Sequence, residues 1–110
     1  MSEKQVLQAI KDKLHSIDPN VKAYLFGSRA RGDANNSTDP DKRSDWDILI
    51  LLDKPTRATW DDFDKYAGPL DEIGWDMNEV INPVVRSKKE WEENSFSLFN
   101  HNVEADAIAL

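Results

Sequence analysis

Cysteine is absent from this 110-residue chain. Without thiols there is neither a disulfide nor a thiolate zinc centre. Positive charge is scarce: 14 Lys and Arg stand against 21 Asp and Glu, a formal net charge of −7. That imbalance repels phosphate backbones and anionic headgroups at long range, so DNA, RNA and membrane surfaces are disfavoured partners. No apolar run reaches the ~18 residues of a membrane span, and no signal peptide precedes the first helix, so the cytoplasm is the expected location. Repeats, linkers and low-complexity segments are also missing. The length suits a single domain over residues 1–110, with one core and no room for a second.

The remaining composition supports that core, with 39% hydrophobic residues that include four Trp and four Phe. Ser2 and Gln5 form a capping-box pattern at the head of an amphipathic helix running to Ile17, with Val6, Leu7, Ile10, Leu14 and Ile17 as its apolar stripe. Asp18-Pro19-Asn20 ends it, and His15 sits where a positive charge suits the helix dipole. Thr59 and Asp62 predict a cap for a later helix bearing Trp60, Phe63, Tyr66, Ala67, Leu70 and Ile73, kinked or split at Gly68-Pro69. Its early acids Asp61, Asp62 and Asp64 read as a solvated face. Gly74 is expected to release the chain into a third strand over 76–85, where Pro83 argues for an edge position or a bulge. Ser87 and Glu90 predict another capped helix, and the tail from His101 to Leu110 either packs back or meets a partner.

The most informative stretch runs from Val21 to Leu52. Val21, Ala23, Tyr24, Leu25 and Phe26 read as a short strand, broken by Gly27-Ser28-Arg29-Ala30-Arg31-Gly32. A strand, a glycine turn and a helix start leave backbone N–H groups aimed at an anion. Gly27 has no Cβ to hold a phosphate off, and Ser28 can cap the helix or donate its hydroxyl. Arg29 and Arg31 add cations, although one helix cannot present both to a phosphate and one should pair with a surface acid.

After a polar loop over 33–43, Ser44-Asp45-Trp46-Asp47 opens a second strand with the unbroken run Ile48 to Leu52. Alternation puts Asp45 and Asp47 on one face, ~7 Å apart. Two carboxylates so placed repel unless a cation lies between them. Magnesium, held by these acids and by the phosphates of a nucleotide, meets that need. Asp33, Asp39 and Asp41 lack the glycine and terminal glutamate of a calcium loop, so the loop reads as a mobile segment beside the nucleotide.

Together the two blocks resemble the nucleotidyltransferase superfamily typified by DNA polymerase beta, and within it the minimal, antitoxin-type bacterial members. The family pattern is Gly-Ser-x-Ala-Arg-Gly, a spacer, then Ser-Asp-x-Asp and an apolar strand; the spacer here is somewhat long. The resemblance implies an α/β (α+β) nucleotidyltransferase core, a small mixed sheet with helices packed on one face. It implies metal-dependent transfer of a nucleoside monophosphate, AMP from Mg-ATP, to a hydroxyl acceptor. Asp45 and Asp47 would be catalytic and would hold one or two Mg2+ ions. Gly27, Ser28, Arg29 and Arg31 would bind the nucleoside triphosphate.

The family's third carboxylate falls near Asn82, which cannot act as a base. Glu79 and Asp76 are the alternatives, with Glu79 reaching the right face only if Pro83 marks a bulge. Small members of the family pair with helical HEPN-type proteins, which makes such a protein the expected partner and acceptor. The competing reading is a catalytically weak or inactive nucleotide-binding module that neutralises its partner by binding it.

Overall fold

A computed structural model of the chain describes residues 2–35 and 42–110. In chain order the elements are α1 (Glu3–Ile17), β1 (Lys22–Phe26), α2 (Ser28–Arg31), β2 (Trp46–Leu52), α3 (Trp60–Met77), β3 (Ile81–Ser87), α4 (Lys88–Glu93), α5 (Leu98–Asp106) and β4 (Ile108–Ala109). The strands form one mixed sheet in the order β3-β2-β1-β4. The pair β2–β3 is parallel, with α3 as its crossover, and β1 runs antiparallel to both β2 and β4. This is the mixed α/β architecture expected of a nucleotidyltransferase core.

Local chemistry sets the helix starts. Ser2 with Gln5, Thr59 with Asp62 and Ser87 with Glu90 each form a reciprocal capping box that satisfies otherwise orphaned N–H groups. Alternation along β2 then divides the sheet. Trp46, Ile48 and Ile50 join Val6, Ile10, Leu14, Tyr66 and Leu70 in the main core beneath α1 and α3. Leu49 turns the other way, into a smaller cluster with Phe26 and Val103, against which Tyr24, Leu51, Val84 and Trp91 pack. Helices α4 and α5 cover part of this second face. The apolar pattern of the sequence located the α1–α3 layer but not this one.

Three sequence expectations need correction. Of the two alternatives at Gly68-Pro69, the split is excluded: Tyr66, Ala67 and Leu70 are buried on both sides of the proline and hold one 18-residue helix to the sheet. Gly74 does not release the chain but stays helical. A Cβ there would lie 2.7 Å from the Glu79 carbonyl oxygen, so only glycine lets the returning chain pass so close. Asn78 makes that return in the left-handed conformation (φ 55°), and Glu79 N–H donates to Gly74 O at 2.8 Å. The third strand therefore begins at Ile81, which leaves Asp76 on α3. The tail does pack back: α5 leads into β4, which pairs with Tyr24 and Leu25 of β1. His15 sits at this closure, its ring nitrogens 3.3 Å from the Pro19 and Leu110 carbonyl oxygens. β3 is an edge strand, where Pro83 is accommodated without a bulge.

Candidate functional site

Sheet register brings the glycine turn and the acidic strand together. Phe26, the last residue of β1, pairs with Asp47 of β2. The next residue, Gly27, therefore arrives beside the Asp47 carboxylate. A Cβ at Gly27 would sit 2.4 Å from Asp47 Oδ2. Gly27 also adopts φ 76° and ψ −157°, a combination that side-chain-bearing residues avoid. Close approach and backbone conformation thus both require glycine here. Ser28 follows as the first residue of the single-turn helix α2, and among the described residues its hydroxyl has no hydrogen-bond partner.

On the other side of β2, Asn82 stands opposite Asp47 in the parallel register, and its Nδ2 donates to Asp47 Oδ1 at 3.1 Å. One carboxylate oxygen is thereby fixed by the neighbouring strand while the other faces the turn. Asp45 lies exposed immediately before β2. Burial raises the Asp47 pKa, the Asn82 hydrogen bond opposes the rise, the Asp45 charge adds to it and Arg31 offsets it; the outcome lies above the ordinary carboxylate value. Asp47 is therefore held in a place where its negative charge is disfavoured, and a cation would relieve it.

Among the described residues no group of three or more His, Cys, Asp and Glu is arranged to hold a metal. The donor set is smaller: the carboxylates of Asp45 and Asp47, with the Asn82 side chain alongside. Oxygen donors of this kind suit Mg2+ only when substrate phosphates complete the shell. The residues present fit a divalent cation delivered with a nucleotide, and do not form an all-protein cage.

The two arginines have different surroundings. Arg31 is half-exposed and paired with Asp106 of α5 (2.8 Å) and with Asp33 (3.3 Å), bonds that raise its pKa further. It lies near enough for its charge to act on Asp47. Arg29 is turned into the protein, its side chain 2% exposed. Nη1 donates to Glu3 Oε1 at 2.7 Å and Nη2 to the Ser44 carbonyl at 3.0 Å, while the guanidinium lies 4.6 Å from the Trp46 ring centroid. Read from the sequence as a phosphate ligand, Arg29 instead ties α1, α2 and the approach to Asp45 together.

Glu79 is likewise a correction. Its carboxylate, 9% exposed, pairs with Arg43 (3.1 Å) and Arg29 (3.9 Å) and accepts from Trp46 Nε1 at 3.4 Å. Trp46 faces the main core, the side of β2 away from Asp47, so Glu79 is not positioned as a third acid. Asn82 occupies the place beside Asp47. No local signal could have shown the Arg29–Glu79 pairing, because its partners are far apart in the chain. Residues 36–41, including Asp39 and Asp41 of the loop read as mobile, lie outside the described residues.

Arg29→Lys is expected to keep the charge but lose the fork that reaches Glu3 and Ser44 at once. The cost should be about 2 kcal/mol in urea unfolding, with weaker binding at the Gly27 turn because the Ser44–Asp45 approach loosens. A lysine variant as stable as the parent would show that the fork does not hold these elements.

A family profile described as the nucleotidyltransferase domain matches residues 4–104 of the chain. No curated protein and no solved structure gives a significant match.

Proposed function

The chain belongs to the nucleotidyltransferase domain family, and from that premise we propose that the Gly27 turn and the Asp45–Asp47 pair bind Mg-ATP and transfer AMP to a hydroxyl acceptor. Nucleotidyl transfer is the activity that the family supports; the donor, the metal and the acceptor are the proposal. The observation that carries it is the meeting of Gly27 with Asp47 Oδ2, a contact in which a Cβ would stand 2.4 Å from the carboxylate. A turn suited to an anion and an acid suited to a cation meet there, an arrangement that fits a ligand carrying both charges.

In this reading Gly27 admits the triphosphate to the backbone, and Ser28 donates its hydroxyl to a phosphate oxygen. Asp45 and Asp47 hold the cation, and Asn82 fixes the rotation of Asp47 so that Oδ2 stays toward the turn. When bound, Mg2+ neutralises the phosphates and the leaving pyrophosphate as a Lewis acid. Arg31, kept near Asp47 by Asp106, adds positive potential at the rim.

The acceptor proposed is a hydroxyl on a helical protein partner of the HEPN type, in line with the motif's resemblance to antitoxin-type members. Exposed Phe96 and Leu98, beside Phe99, offer apolar surface for a protein contact. One observation favours a second reading, in which the domain binds nucleotide and partner but turns over slowly. Asn82 stands opposite Asp47, near the position where the family resemblance puts a third carboxylate, and an amide cannot take the proton of the attacking hydroxyl.

Labelled ATP, Mg2+ and cell lysate separate the two. A labelled protein acceptor that disappears with EDTA supports the transferase. Binding of Mg-ATP by calorimetry without any labelled product supports the slow binder. No heat with Mg-ATP would remove both.

A further inference from the structure

A second cleft, distinct from the Gly27–Asp47 site, opens at the β3 edge of the sheet. It encloses about 550 Å³ and is lined by Arg57, Trp60, Phe63, Val85, Arg86 and Glu90, with Ala58 and Thr59 between Arg57 and Trp60. Arg86 pairs with Leu51 in the β2–β3 register, whereas Asn82 pairs with Asp47. Four residues of strand, ~13 Å, therefore separate this cleft from the Asp47 end.

Its charge is unusual for so acidic a chain. Arg29, Arg31 and Arg43 each pair with carboxylates. Among the described residues Arg57 and Arg86 form no ion pair, and both line this cleft. Among the described residues the Arg86 side chain donates to the adjacent Val85 carbonyl, at 2.9 Å, and its charge also acts on Glu90 across the cleft. Glu90, the one acid in the lining, accepts from the backbone N–H groups of Ala58 and Ser87. These residues directly follow Arg57 and Arg86 in the chain, so a single carboxylate pins the backbone beside both arginines.

The apolar wall has a matching shape. Trp60 is 82% exposed, an uncommon setting for so large a side chain. It is braced edge-on by Phe63, with ring centroids 6.2 Å apart and planes at 86°. With most of its surface open, the indole can stack a flat ring, while guanidinium forks match the oxygens of a phosphate.

We propose that this cleft binds a nucleoside monophosphate, with the phosphate on Arg57 and Arg86 and the base against Trp60. The site needs neither the Asp45–Asp47 pair nor a divalent cation, so it stands apart from the function proposed above. The test uses the full chain with Asp45→Asn and Asp47→Asn, in EDTA at low salt, titrated with AMP. Trp60 is followed by its indole N–H resonance.

Saturable binding is expected, tighter for AMP than for adenosine or inorganic phosphate. It should be at least tenfold weaker in Arg57→Gln/Arg86→Gln. Trp60→Leu, followed by calorimetry, should also weaken it and serves if the arginine variant misfolds. No saturable response to AMP, equal binding of adenosine, or unchanged affinity in a folded arginine or Trp60 variant would overturn the proposal.

Discussion

Gly27→Ala is expected to abolish nucleotide binding and to destabilise the fold by about 2 kcal/mol, chiefly through its backbone. The residue lies at φ 76° and ψ −157°, where a Cβ is resisted by its own chain. The steric clash has a different consequence. The new methyl would stand 2.4 Å from Asp47 Oδ2, and a carboxylate on a short side chain can rotate away. Rotation breaks the Asn82 hydrogen bond and removes the oxygen from the turn. Stability therefore falls by the backbone cost, while binding falls with the displaced acid.

Combining Gly27→Ala with Asp47→Ala separates the two effects, because the clash is gone and only the φ cost remains. Urea unfolding of the two single variants and the double variant, alongside Mg-ATP calorimetry, measures both. A Gly27→Ala protein that binds Mg-ATP as the parent does would refute the placement of the turn.

Asp47→Asn should lower transfer by a factor on the order of 10²–10³, the scale for removing one group that stabilises charge in a transition state. The ligand-free fold should be no less stable for the change, and this distinguishes a functional acid from a structural one. Burial first, and the Asp45 charge after it, hold the Asp47 pKa above its ordinary value despite Asn82 and Arg31.

A carboxylic acid with a raised folded pKa loses stability as pH rises from about 3.9, its unfolded value, through the folded one. The loss grows as pH passes through the folded value, and asparagine avoids it while its amide oxygen can still accept from Asn82. Unfolding at pH 7 and product formation from labelled ATP are the two readouts. A variant that unfolds readily, or that transfers at the parental rate, would contradict this role.

Much of the site was legible because its chemistry is local. Capping boxes join residues three apart, and the helix starts at Ser2, Thr59 and Ser87 follow from them. Gly27-Ser28 and Asp45-x-Asp47 were readable as an anion turn and an acidic strand start for the same reason. For Arg29, helical spacing shows a charge but not its partner. Glu3 lies 26 residues away and Glu79 is reached only through the α3–β3 return. That return was itself misplaced. Gly74 looks like a helix stop, yet its missing Cβ serves to admit the Glu79 carbonyl while the helix continues.

Residue types and their spacing carry the site's ingredients: a glycine that permits close approach, two acids two residues apart, and the capped helices and apolar strand that carry them. These depend on interactions within one turn or one strand, which spacing records. Long-range packing sets Asp47 between Gly27 and Asn82, gives Glu79 to Arg29 and Arg43, and brings Arg57 and Arg86 to one cleft. Those neighbours are set by strand register and by the packing of α3 as a crossover. Both are fixed by burial of the whole sheet, not by any segment alone.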